Sequence, residues 1–262
     1  MMYHAIQAEF IKVKSTPIIY LIAFCWIFIS GIGFLANTVD VHNRVELNVN
    51  PWDRFFSGSM AIFSIFVLSP VITLLVSTFQ QIEQKANSRK YLYTTPTRRI
   101  TIYFSKLVTI LVVIIFTTFF LLLFITLTGY IVDYFYPEYE FVYHSPAFYY
   151  LLKTSFRAVL SCLGIIGLHY FLSTISKTFL LPMGIGILGF IMGFILASTN
   201  SKATMLFPFA YPILVQDFDA FPTDHRVVVF GDWLTNMEVY STAYFLVFIL
   251  IGCLYEVRRG VA

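Results

Sequence analysis

Residues 108 to 132 read VTILVVIIFTTFFLLLFITLTGYIV, a run without one charged side chain. A bilayer core of about 30 Å needs roughly 20 apolar residues in helical form to cross it. Taken from Leu107 to Val132, this run is long enough, and it sets the class of the whole chain. Five runs of the same kind flank it: Pro17 to Ala36, Gly58 to Phe79, Phe156 to Ile175, Thr178 to Ser198 and Val239 to Tyr255. The first is too long in its apolar core for a cleaved leader, and no A-x-A site follows it, so we expect a retained span. The composition agrees. Of 262 residues, 58% are hydrophobic, 19% aromatic and only 12% charged. Soluble domains carry about twice that charged share. The mean hydropathy is +0.79. The expected fold is an all-α membrane protein with six transmembrane helices, one membrane domain over residues 1–262.

Lys and Arg gather on the cytoplasmic side of short loops. With the N-terminus inside, eleven of the seventeen basic residues fall on the inner face with three of the fourteen acidic ones; six basic and eleven acidic residues fall outside. The faces then carry about +8 and about −5 on this count. An even number of spans puts both termini inside, where Arg258 and Arg259 lie.

Two segments outside the spans stand out. In residues 1–16, MMYHAIQAEFIKVKST, the residues Tyr3, Ile6, Phe10 and Val13 recur at helical spacing, with Gln7, Glu9, Lys12 and Lys14 off that stripe. This predicts an interfacial amphipathic helix, apolar face down, at the inner surface. The inner loop, residues 80–106, contains QKANSRKYLYTTPTRRI at 84 to 100, with five of the seventeen basic residues. Gln80 to Ser88 continues the second span, Pro96 breaks the helix and Thr97-Arg98-Arg99 starts the next. A projecting elbow with charge on one side and Tyr91, Leu92 and Tyr93 on another suits docking to a soluble partner. A solvated loop that only fixes topology would also be basic.

These features together resemble the permease subunits of type-two ATP-binding-cassette (ABC) transporters. They are AEFIKVKSTP before the first span, the SRKYLYTTPTRRITIYFSKL loop, six spans, and a long outer segment before the last. The likeness is greatest to the lantibiotic-immunity and bacitracin-type group. The resemblance implies a multi-pass protein of a bacterial cytoplasmic membrane, paired with a second copy or a sister permease. It implies an ATPase subunit that binds ATP and Mg, with no cofactor in this chain. It implies that Glu83, Lys85, Arg89, Lys90, Tyr91, Tyr93, Arg98 and Arg99 form a coupling element against that ATPase. It also implies short re-entrant helices within residues 199–238, where Ala203 to Val215 is too short to cross and is broken by Pro208 and Pro212.

No GxxxxGK[ST] motif occurs, so ATP chemistry would belong to another polypeptide. No HExxH or Cys-x-x-Cys offers a zinc site. Cys25, Cys162 and Cys253 each sit in an apolar run, as small core residues do. GIGILG, residues 184 to 189, matches a dinucleotide fingerprint but lies inside a span with no strand before it. In membrane terms Gly184, Gly186, Gly189 and Gly193 make a small-residue face for close helix packing. Thr73, Ser77 and Thr78 are either a polar face beside a Pro70 kink or a row facing substrate. His169 is an intramembrane candidate, though a helix-to-helix hydrogen bond is the favoured role. Lys153 and Arg157 either snorkel outward or pair with Glu138 or Glu140. The expected function is a non-enzymatic permease for export or immunity, with amphipathic antimicrobial peptide as preferred cargo. The alternatives are a permease for a drug, lipid or ion, a membrane scaffold or sensor, and an intramembrane enzyme.

Overall fold

The computed structural model describes residues 2–14, 16, 18–38, 50–85, 99–144, 146, 148–176, 178–199, 201–215, 228–230 and 233–258. They are almost wholly helical. Six helices are long and apolar enough to cross a membrane: Ile18–Ala36, Pro51–Ile82, Arg99–Phe135, Phe148–Ile175, Leu180–Ser198 and Asn236–Arg258. Six crossings return the chain to the face it started from, here called the terminal face; the opposite one is the far face.

Helix α1 (Met2–Lys14) precedes the first span, α2 (Ile18–Thr38). The expected stripe on α1 splits. Val13 is buried, while Tyr3 and Phe10 are exposed. Glu9, expected off the stripe, is buried too, and its carboxylate accepts from Lys12 Nζ at 2.7 Å. The reason is a protein neighbour: α1 packs along the terminal-face end of the third span as well as beside α2.

The second span is built of α3 (Pro51–Ile62), a wide π-helical turn at Phe63–Leu68, and α4 (Ser69–Lys85). It starts at Pro51, earlier than the expected Gly58, because Asn50 caps it. The Asn50 side-chain oxygen accepts the Trp52 N–H at 3.0 Å, and Pro51 sits in the first turn, where its missing N–H costs nothing. Pro70 would clash with the carbonyl four residues earlier in a regular helix. That carbonyl, of Phe66, lies inside the wide turn, where the ladder is already opened.

The third span is α5 (Arg99–Phe135), 37 residues and so about 55 Å long. It overshoots the bilayer core at both ends. Its threonines stay polar-satisfied by bonding back along the helix. Thr109 donates to Ser105 O at 2.9 Å, Thr117 to Val113 O at 2.7 Å and Thr128 to Phe124 O at 2.8 Å. Hydroxyls used this way let a threonine sit in an apolar rod. Trp26 of α2 stacks on Phe120 and Phe124 at 5.2 and 5.5 Å, and its indole N–H donates to Thr117 O at 2.9 Å.

At the far face Trp52 is wholly buried. Its indole N–H is shared between Phe141 O at 2.9 Å and His144 O at 3.1 Å. Gly129 of α5 has no side chain where the Trp52 ring lies; a methyl there would overlap it. The turns Pro137–Tyr139 and Phe141–Tyr143 between the third and fourth spans are thereby tied to the start of the second.

The fourth span is α6 (Phe148–Ser161) and α7 (Leu163–Ile175), joined through Cys162; the fifth is α8 (Leu180–Ser198). Beyond α8, tight turns at Lys202–Leu206 and Pro208–Ala210 and the single-turn α9 (Tyr211–Leu214) fold back into the bundle. Phe209, Tyr211, Ile213 and Leu214 are buried there. β1 (Val228–Phe230) and β2 (Leu234–Thr235) make a small antiparallel ribbon ahead of the sixth span, α10 (Asn236–Arg258).

Candidate functional site

Ser69, Thr73 and Ser77 recur every four residues on α4 and so share one face. All three are buried. Opposite them on α7 stands His169, fully buried, with its Nε2 3.3 Å from Thr73 Oγ1. The Thr73 hydroxyl donates to Ser69 O at 3.0 Å. We therefore assign the imidazole proton to Nε2, which donates to Thr73. Nδ1 is then an acceptor, and among the described residues it has no partner; neither do Ser69 Oγ and Ser77 Oγ. Thr78, one position on, is only half-buried and off this face.

The third wall is α8. A methyl at Gly186 would overlap the Thr73 side chain and come within 3.1 Å of His169 Cε1. The absent side chain is what lets α8 close on α4. Gly189 and Gly193 serve a different neighbour. Methyls there would meet the Phe209 ring at 2.5 Å and the Phe209 backbone at 2.8 Å. Gly184 faces open space. The Phe209 ring also meets His169 edge-on, centroids 5.7 Å apart. From Gly189 to the far end of α8 at Ser198 the helix rises about 14 Å. The Phe207–Val215 segment therefore descends to mid-bundle depth and caps the polar row.

The other flank of the fourth span, against α10, is bonded across the seam at several points. The helix breaks at Cys162, which frees the Gly164 N–H; it donates to Ser241 Oγ at 2.8 Å, and Ser241 donates to Ser161 O at 2.7 Å. Below this, Phe245 backbone fits over Gly167. Tyr170 donates to Tyr103 O at 2.7 Å, and Tyr103 donates to Ile249 O at 3.1 Å, which ties in the third span.

The basic residues at the head of the fourth span do not meet Glu138 or Glu140, which are exposed. Arg157 is buried and donates from Nε to Glu238 Oε1 at 2.7 Å. Lys153 Nζ lies over the Trp233 ring, 5.8 Å from its centroid. Glu238 Oε2 accepts the Thr235 N–H at 2.9 Å and also the Thr235 hydroxyl. Thr235-Asn236-Met237-Glu238 thus makes the carboxylate half of a capping box, Glu238 reaching back to the Thr235 N–H. That four-residue pattern was visible in the sequence and would have started the sixth span at Asn236, ahead of the expected Val239.

Of the expected coupling element, α4 runs to Lys85 and so includes Glu83, and α5 begins at Arg99, half-buried. Arg89, Lys90, Tyr91, Tyr93 and Arg98 lie outside the described residues. Both helix ends that bound the loop are on the terminal face, and α1 packs against α5 there.

In comparison with known proteins, residues 5–193 match the family model described as ABC-2 family transporter protein. No curated protein and no solved structure matches the chain.

Proposed function

The chain belongs to the ABC-2 family of transporter proteins, and on that premise we propose that it is the permease subunit moving amphipathic, cationic peptide across or out of a membrane. A separate ATPase, carrying ATP and Mg, supplies the power. The single observation that carries the reading is the family match over most of a six-span helical chain. Residues 83–99 seat the ATPase, with Glu83, Lys85, Arg89, Lys90, Tyr91, Tyr93, Arg98 and Arg99 at the contact. The terminal face is then cytoplasmic, as the basic count requires. The working unit has two permeases, either two copies or one with a sister chain. ATP binding closes the ATPases and biases the spans between two packings.

The polar row Thr73, Ser77 and His169, with Thr78 beside it, is the proposed path. The Ser77 hydroxyl and His169 Nδ1, buried at mid-bundle depth without partners among the described residues, are ready to serve a passing polar group. The peptide cargo is supported by the far face. Glu138 and Glu140 are exposed there beside exposed Tyr134, Tyr143 and Tyr149, a surface that attracts cationic amphiphiles. The same features favour a place in the lantibiotic-immunity and bacitracin-type group.

The test is co-purification with the candidate ATPase, wild type against Arg98→Glu plus Arg99→Glu. The double variant is expected to insert normally and to lose the ATPase. Retained association would remove the docking role from this element.

A further inference from the structure

Two cations on adjacent turns of α6 lean onto one corner of the chain, the segment from Trp233 to Glu238. Arg157 reaches Glu238 and Lys153 reaches Trp233. The carboxylate is filled, since one oxygen takes Arg157 Nε and the other takes Thr235. The guanidinium is not. Arg157 Nη2 is buried and has no partner among the described residues, on a side chain only 10% exposed. A guanidinium is a rigid fork built to hold two oxygens side by side. Glu238 meets only its Nε edge. The corner therefore holds two cations, one carboxylate and one spare donor.

The depth narrows what the spare donor can hold. The fourth span is 28 residues, about 42 Å, against a core of about 30 Å. Its far-face end stands clear of the core, which brings Lys153 near headgroup level and Arg157 one turn deeper. Trp233 and Tyr149 pack edge to face at 5.5 Å beside Lys153, and Trp233 is 46% exposed. Amphipathic rings of this kind sit at the headgroup boundary. A charged group within a span calls for a partner.

We propose that this corner is an oxyanion site that takes the phosphate of a lipid-like headgroup in the far-face leaflet. Arg157 Nη2 grips one oxygen and Lys153 Nζ, leaving the Trp233 ring, grips another. A phosphate has terminal oxygens enough to bridge two cations one helical turn apart. The site does not depend on the transport reading, and it would exist in a permease of any cargo.

The test uses the purified full-length protein in a neutral detergent, with its melting midpoint followed by intrinsic fluorescence. The probes are phosphatidic acid, the diacylglycerol with the same tails, and inorganic phosphate. Phosphatidic acid is expected to raise the midpoint by several degrees, and diacylglycerol to leave it unchanged. Arg157→Lys keeps a cation for Glu238 but has no second arm, so it should lose the rise. Lys153→Gln, on a half-exposed side chain, should fold normally and show a smaller rise. A rise with inorganic phosphate as well assigns a site open to the free anion; a rise with the lipid alone assigns a headgroup site. The proposal is overturned if neither phosphate shifts the wild type, if diacylglycerol shifts it equally, or if both variants respond as the wild type does.

Discussion

The fourth span has two flanks, and they are made differently. Against α10, Arg157 Nη2 apart, its polar groups are tied across the seam: Ser241 mends the break at Cys162, and Tyr170 and Tyr103 tie the third span to Ile249. Against α4 and α8, the polar atoms Ser69 Oγ, Ser77 Oγ and His169 Nδ1 are buried without partners among the described residues. The α4 side also carries the wide turn at Phe63–Leu68. Buried polar groups are costly when unmet and hold firmly when met. The difference assigns the fourth and sixth spans to one rigid body. It makes the α4–α7–α8 seam the place where the bundle opens most cheaply.

The sharpest way to break this comparison is at Glu238. Glu238→Gln leaves the Arg157 charge buried without a counterion, and a broken buried pair costs about 3–5 kcal/mol. Thermal unfolding in detergent should register the loss, and a change under about 1 kcal/mol would mean that this flank is not held by its ion pair. Next comes the glycine face. Gly186→Ala pushes a methyl into Thr73, and overpacking costs about 1–3 kcal/mol. Gly184→Ala meets nothing within 4 Å and should stay within about 0.5 kcal/mol. Equal effects would show that α8 does not pack on α4 as described. The smallest effect separates the two flanks most cleanly. Ser241→Ala strands the Gly164 N–H and should cost about 1–3 kcal/mol, whereas Ser77→Ala removes a hydroxyl that bonds to nothing among the described residues and should be close to neutral. A Ser77→Ala loss as large as that of Ser241→Ala would sink the distinction.

The six spans were legible because each is a local property: a long apolar run crosses whatever its neighbours do. Their ends were less so. The second begins at Pro51 through an Asn50 cap and the sixth at Asn236 through a Thr235–Glu238 box, both short patterns that the search for apolar runs passes over. The seam was half legible. Thr73 and His169 stood out as polar groups at membrane depth, but that they face each other depends on how two distant helices are rotated. Thr78, taken with them by adjacency, turns off the face. The Arg157–Glu238 pair was hidden by its separation of 81 positions, and the nearer Glu138 and Glu140 were the wrong partners. Of the four glycines, which one meets which neighbour could not be read from the motif, since Gly189 and Gly193 answer to a phenylalanine beyond the end of their own span.

The wide turn in the second span also absorbs a length. A π-type turn is an α-helix holding one surplus residue, so Phe63–Leu68 turns the chain about as far as one residue fewer would in a regular helix. Delete one residue from 63 to 68 and the turn can close to a regular one with the lower rod still in phase. Delete one from the regular stretch above it, where each residue advances the chain by about 100°, and the hydroxyl row would swing away from the imidazole. The bulge is thus slack in the rod, taking up one amino acid without turning the atoms below it.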